Sequence, residues 1–133
     1  MIEADMVARL NAAATLTAIV GQKIYPVEAP PGTKAPYLVF ARVDTDTDDT
    51  LDDTASVHHV MFAFEAYAAT YKEALAIGAA LKPILDGWNG RPPETIMSMT
   101  YTGEHDGAGE YDEESRRRRT FCRELFFTAL IRA

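Results

Sequence analysis

Residues 57–67 (Val-His-His-Val-Met-Phe-Ala-Phe-Glu-Ala-Tyr) alternate with period two. Val60, Phe62, Phe64 and Ala66 fall on one face, and His59, Met61, Ala63, Glu65 and Tyr67 on the other. A helix would scatter those four apolar residues around its circumference, so the segment is confined to a strand with one face toward a core. Residues 37–43 (Tyr-Leu-Val-Phe-Ala-Arg-Val) are equally rich in β-formers. Between the two runs lies a window, residues 44–53, holding Asp44, Asp46, Asp48, Asp49, Asp52 and Asp53 and no Lys or Arg. The connection is too long for a tight turn, which predicts a long β-hairpin whose tip carries the Asp/Thr segment.

The helical signals lie on either side. From Ile2, the residues Met6, Val7, Leu10, Ala13 and Ala14 follow helical spacing, and a second short turn through Leu16, Ile19 and Val20 ends at Gly21. Thr70-Tyr71-Lys72-Glu73 has the form of a capping box, with Thr as N-cap and Glu three residues on. The helix it opens carries Ala74, Ile77, Gly78, Leu81, Ile84 and Leu85 on one stripe and closes at Asp86-Gly87. Pro83 predicts a kinked or irregular last turn. Residues 23–27 read as a short edge strand, because Pro26 cannot donate to a ladder. Residues 95–102 alternate again, and a last strand is expected from about Arg116 to Arg132, with Gly107-Ala108-Gly109 between these two. The expected architecture is α+β: two long hairpins, about four strands plus the short edge strand, packed against two helices in a single domain over residues 1–133.

A formal charge of -7 over 133 residues conceals a partition. Residues 104–114 hold six more acids, Glu104, Asp106, Glu110, Asp112, Glu113 and Glu114, again with no Lys or Arg. The rest of the chain carries eight acids against thirteen bases, so a body of net +5 bears two acidic segments. Four of those bases are the run Arg116, Arg117, Arg118 and Arg119. No apolar run approaches the ~20 residues that cross a bilayer, and the acidic start Met1-Ile2-Glu3-Ala4-Asp5 is unlike a secretory signal. No membrane partner is therefore expected, and the chain is expected to act where it is made. The lone Cys122 excludes an internal disulfide and fits a reducing compartment.

The residues offer no assembled catalytic set. Asp44, Asp46 and Asp48 take positions 1, 3 and 5 of an EF-hand loop, but position 6 is Asp49 rather than Gly and position 12 is Ala55 rather than Glu. The adjacent His58 and His59 point to opposite faces of a strand and cannot share a metal. His105 beside Glu104 and Asp106 is at most half a metal site. Ser56, Ser98 and Ser115 lie in no nucleophile elbow, and there is no Walker loop or Gly-x-Gly-x-x-Gly motif. Neither a metal nor a cofactor is expected. For the Arg116 to Arg119 run, a solvated strand end, a protein interface and a phosphate contact all remain open.

The chain carries, in this order, the segments Leu16-Thr-Ala-Ile-Val-Gly21-Gln-Lys-Ile24-Tyr25-Pro26, Ala29-Pro30-x-Gly32, Ala35-Pro36-Tyr37-Leu-Val-Phe, Phe64-Glu-Ala-Tyr67-Ala68 and Thr70-Tyr71-Lys-Glu-Ala74. Their pattern resembles the tail completion, or tail terminator, family of long-tailed bacteriophages, which also occurs in prophages and gene transfer agents. The resemblance implies a structural virion protein rather than an enzyme. Such a protein forms a ring, typically of six copies, at the head-proximal end of the tail tube, where it ends tube growth and joins tail to head. Implied partners are further copies of the chain, the tail tube protein and a head-completion or stopper protein, with DNA passing through the ring without sequence-specific binding. The implied location is the head–tail junction of a virion assembled in the host bacterial cytoplasm. Pro26, Pro36 and Tyr37 would shape strand starts, and no catalytic residue carries over.

Acidic segments facing the channel would repel phosphates and let the duplex slide, and facing a neighbouring ring they would set its register. The Arg116 to Arg119 end is expected at a subunit interface. The alternative from another class is a small α+β ligand-binding or regulatory domain that dimerises through its sheet.

Overall fold

The alternation of residues 57–67 becomes the central strand of the protein. The computed structural model describes residues 2–48, 57–89, 96–109, 111–112, 117–118 and 120–132. In chain order the elements are α1 (Ile2–Asn11), α2 (Ala14–Val20), β1 (Ile24–Pro26), β2 (Tyr37–Asp48), β3 (Val57–Ala68), α3 (Tyr71–Leu85), β4 (Ile96–Gly107), β5 (Tyr111–Asp112), β6 (Arg117–Arg118) and β7 (Phe121–Arg132). Five strands form one sheet in the order β1-β2-β3-β7-β4, and β5 and β6 pair as a separate two-stranded ribbon. All pairings are antiparallel except β1 with β2. This is the expected α+β fold of two long hairpins and an edge strand, with three helices among the described residues where two were expected.

Val60, Phe62, Phe64 and Ala66 are at most 1% exposed. They join Met6 and Leu10 of α1, Leu16 and Val20 of α2, and Ile77, Leu81 and Leu85 of α3 in one buried cluster. The centre is aromatic: Phe64 stacks on Phe40 at 5.6 Å and meets Phe127 edge-on at 5.4 Å. Thr70 accepts a 3.2 Å hydrogen bond from the Glu73 N–H, as the capping box predicts.

Several features depart from the expected pattern, each for a physical reason. The first helix stops at Asn11, and Ala14, placed on its apolar stripe above, is exposed at the start of α2. In one continuous helix Leu16 would sit about 240° around from Leu10. The break re-aims Leu16 and Val20 into the same core. Helix α3 runs on to Leu85 through Pro83, which is exposed, as is Ala79 four residues back. The hydrogen bond that proline cannot make is therefore lost on the solvent side, where water can replace it. Nearer the end, Arg9 of α1 donates to the Ile84 carbonyl at 2.8 Å and lies over the Trp88 ring, which satisfies a terminal carbonyl of α3.

The first acidic window is not confined to a tip. Asp44, Asp46 and Asp48 lie within β2 in register with Met61, His59 and Val57, while Asp49, Asp52 and Asp53 lie outside the described residues. A bulge at Val43 makes this possible. Before it, Leu38, Phe40 and Arg42 are in step with Ala66, Phe64 and Phe62, on the helix side. Without the extra residue the aspartates would continue that parity toward the core, where unpaired carboxylates are expensive.

The last strand is also shorter than expected. It begins at Phe121, and Arg117 and Arg118 belong instead to β6, in register with Asp112 and Tyr111 of β5. The ribbon keeps the register of the β4–β7 hairpin, Gly107 with Cys122 and Tyr111 with Arg118, and between the two lies a stretch with no room for a side chain on the glycines. A Cβ at Gly109 would stand 1.9 Å from the Thr120 carbonyl oxygen, and one at Gly107 would stand 2.8 Å from Cys122 Sγ.

The assignment of faces has a direct test. Phe64→Ala should cost about 3–5 kcal/mol, because it removes the ring joining Phe40 and Phe127 from a dense core. Met61→Ala, half-buried on the other face, should cost less than half as much. Equal shifts in the urea midpoints of the two variants would contradict the assignment.

Candidate functional site

The sheet has two unlike faces. Helices cover the side bearing Phe62 and Phe127, whereas the other side carries Asp44, His59, Met61, Glu65, Tyr67, Glu124, Phe126 and His105. Among strand residues whose side chains are described, this open face holds no Lys or Arg. Its ionisable groups are spread along several strands, and His105 Nε2 lies 3.3 Å from Glu124 Oε2. Among the described residues no three His, Cys, Asp or Glu side chains gather as a metal site. Cys122 is buried, and burial, followed by the carboxylates of Glu65 and Glu124, pushes its thiol up to about 12. It is a poor nucleophile at neutral pH.

The second acidic window divides between two environments. A bulge at Thr102 turns Glu104 and Asp106 of β4 toward the helices, in register with Leu125 and Arg123, while His105 faces the open side. These two acids were expected in a loop facing a channel or partner, and they lie instead in a strand with partners of their own. Arg123 Nε donates to Glu104 Oε2 at 2.8 Å and its Nη1 to Asp106 Oδ1 at 2.6 Å. Lys82 of α3 pairs with Glu104, Tyr101 donates to Glu104 at 2.8 Å, and Tyr71 donates to Asp106 at 3.0 Å. Glu110, Glu113, Glu114, Arg116 and Arg119 lie outside the described residues, and Asp112, Arg117 and Arg118 are placed only by the ribbon's register.

A second ion pair ties α1 to the sheet. Arg42 Nε donates to Glu3 Oε1 at 2.6 Å, and this bond holds the Glu3 carboxyl below its ordinary range. At the far edge, Asp86 and Gly87 close α3 onto β4: Tyr101 N–H donates to Asp86 Oδ1 at 3.0 Å and Gly87 N–H to the Met99 carbonyl at 2.8 Å. These contacts cover the middle of an edge strand that would otherwise invite pairing.

One feature escaped sequence reasoning. Residues 27–33 arch over the open face at the β1–β2 edge, leaving a cleft of about 280 Å³ against Tyr37, Val39, Glu65 and Tyr67. Tyr37 and Tyr67 stack at 4.9 Å, and the Tyr67 hydroxyl donates to Glu65. Glu65 and Tyr67 were legible as the non-core parity of β3. Nothing local, however, indicated that the Pro-rich turn folds across them.

The network around Glu104 is testable through pH. Burial by itself would raise this carboxyl, but the bonds from Lys82, Arg123 and Tyr101 outweigh it and bring it down from 4.5 to about 2. A carboxyl held below its unfolded value stabilises the fold above that value, and the contribution fades as pH falls from about 4.5 toward 2. Glu104→Gln should therefore lower the Tm at pH 7 and flatten the acid loss of stability over that window. Thermal melts of the two proteins that superimpose at pH 7 would show the network to be dispensable.

A family model for tail completion protein gp17 matches residues 4–123, and no curated protein sequence matches. The fold is similar to a chain in the solved virion of a native gene transfer agent (GTA) particle, with a TM-score of 0.66 and 23% identity over 95% of this chain and 90% of that one. With residues 4–123 matched, most of its length, the chain belongs to the tail completion protein gp17 family.

Proposed function

We propose that this protein is a tail terminator subunit: several copies, six by the family resemblance, close into a ring on the head-proximal end of a tail tube, stop its growth and join it to the head. The family match over residues 4–123 carries the reading, and it makes the chain a structural tail component. The likeness to a chain of a gene transfer agent virion supports the same setting. The chain, acting as one unit, would contact the tube protein on one side and a head-completion protein on the other, at the head–tail junction of a particle assembled in a bacterial cytoplasm. No chemical step is required, so affinity, register and closure are the properties that matter.

The charge layout suits that role. An open face bearing Asp44, Glu65 and Glu124, with no Lys or Arg among its described side chains, would repel passing phosphates if it lined the channel, and would give electrostatic register if it met the next ring. The same holds for positions 46, 48, 49, 52 and 53 and for Glu110, Asp112, Glu113 and Glu114. Glu104 and Asp106 contribute less, since Arg123 and Lys82 already hold them.

Deleting the gene from the particle that encodes it tests the proposal. Electron microscopy should then show tails of uncontrolled length without heads, and expression of the wild-type chain should restore uniform, joined tails. Tails of normal length joined to filled heads in the deletion strain would overturn it.

A further inference from the structure

An edge strand turns the N–H and C=O of every second residue away from its sheet, where they invite another strand. The two edges of this sheet answer that differently. Along β1, Ile24 N–H donates to the Gln22 carbonyl at 2.9 Å, Pro26 has no N–H, and the Pro26 carbonyl accepts from Glu28 N–H at 2.8 Å. This blunts β1 against a further strand. Its pairing with β2 reaches only Phe40, so the rest of β2, as far as Asp48, is itself an edge. On β4, Gly87 and Asp86 take the Met99 carbonyl and the Tyr101 N–H. Past the bulge, no backbone contact among the described residues covers Gly103 to Gly107.

Register identifies the open groups. Phe40, whose carbonyl faces β1, pairs with Phe64, and Thr45 and Thr47 pair with Val60 and His58, at even steps along β3. Thr45 and Thr47 therefore turn their backbone groups outward as well. Met99 and Tyr101 pair with Ala129 and Phe127, and Glu104 and Asp106 with Leu125 and Arg123, again at even steps. Glu104 and Asp106 are thus the outward residues of β4 beyond its bulge.

The two open stretches, 44–48 and 103–107, match each other. Three antiparallel steps separate β2 from β4, so the two strands run in opposite directions. A neighbour turned about a ring axis keeps its strand directions, and its β2 lies antiparallel beside β4. Setting the outward residues opposite one another pairs Thr45 with Asp106 and Thr47 with Glu104. Asp46 then falls opposite His105, and Asp44 and Asp48 fall opposite Gly107 and Gly103. No acidic position meets another, which is the condition for a cross-strand register between two acidic segments.

The offset between the stretches also suits closure. Thr45 is level with Ala129 through Val60, and Asp106 with Arg123, so joining them shifts one copy along the strands by six residues, about 20 Å. Each copy adds four long strands, β2, β3, β7 and β4, about 19 Å across. Together these tilt the strands by about 45°, near the tilt at which sheets close on themselves.

We propose that the ring is closed by a sheet continued from copy to copy, with residues 44–48 of β2 in one subunit paired antiparallel to residues 103–107 of β4 in the next. A head-to-tail ring needs two different surfaces on each subunit, and the two open edges supply them. This contact rests on the ring reading and names the surfaces that close it.

A cysteine pair tests the register in protein bound to tail tubes. Positions 46 and 105 form a non-hydrogen-bonded cross-strand pair, with Cα atoms about 4.5 Å apart and within disulfide reach. Asp46→Cys with His105→Cys in one chain should, on mild oxidation, give a ladder of covalent multimers reaching the full ring. Asp46→Cys with Thr100→Cys, in the covered part of β4, should give no ladder. The native Cys122 is buried and does not compete. Independently, hydrogen exchange at the amides of Thr45, Thr47, Glu104 and Asp106 should be fast in the free monomeric chain and slowed at least about tenfold on the tube. Thr45→Pro removes an outward N–H that the isolated subunit does not use. In a chain whose free melt matches the wild type it should cut the assembled fraction at least about tenfold, whereas Thr45→Val should assemble normally.

A wild-type ring of unchanged mass with no ladder and no slowed amides would overturn the edge contact and leave the ring reading intact. Cross-links that stop at dimers, amides already slow in the free monomer, or a Thr45→Pro chain that assembles like the wild type would overturn it equally. Wild-type protein that stays monomeric on tubes would remove the ring reading, and the edge contact with it.

Discussion

Burial of one face of β3 is the constraint on which the rest of the structure depends. Val60, Phe62, Phe64 and Ala66 must be taken out of water together, and α3 with its Ile77, Leu81 and Leu85 is the element that covers them. At about 1.5–3 kcal/mol for each large side chain fully buried, this contact outweighs any single ion pair in the molecule. Helices α1 and α2 add Met6, Leu10, Leu16 and Val20 to the same cluster, and β2 and β7 flank β3 along its whole length.

That constraint determines where charge can go. Two strands adjoining the core run directly into acidic sequence, β2 into its aspartates and β4 into Glu104 and Asp106. The chain resolves the conflict in two ways with the same device. At Val43 the bulge turns Asp44 away from the helices. At Thr102 the bulge turns Glu104 and Asp106 toward them, where Lys82, Arg123, Tyr71 and Tyr101 compensate the carboxylates. One bulge keeps an acidic surface available, and the other makes an internal clamp between α3 and the sheet edge.

What was legible in the sequence was what is local. The period-two run of β3 and the capping box at Thr70 specify their elements through neighbours a few residues apart, and both elements formed as expected. The bulges were not legible, because an extra residue at Val43 or Thr102 is favoured only by the parity it imposes against a strand distant in sequence. For the same reason the acidic windows read as loops, although half of the first is strand. The Arg run read as the start of the last strand because the close approach of Gly109 to Thr120 is a three-dimensional fact. Of the candidate site, the charged segments could be named in advance. The cleft could not, because it depends on residues 27–33 crossing Tyr37 and Tyr67.

An open sheet face with no Lys or Arg among its described side chains, and a cleft that holds Glu28 and Glu65, suit a subunit that meets other molecules. Family membership places that subunit in a tail, and the account's central claim is that its copies close into a ring where tail meets head. A cryo-EM reconstruction of the head–tail junction of the particle encoding this chain tests the claim most directly. The account predicts a closed ring of six copies on the last tube layer, with the acidic segments toward the channel or the adjoining ring. A junction lacking the chain, or a ring carrying both acidic segments on its outer circumference, would contradict it.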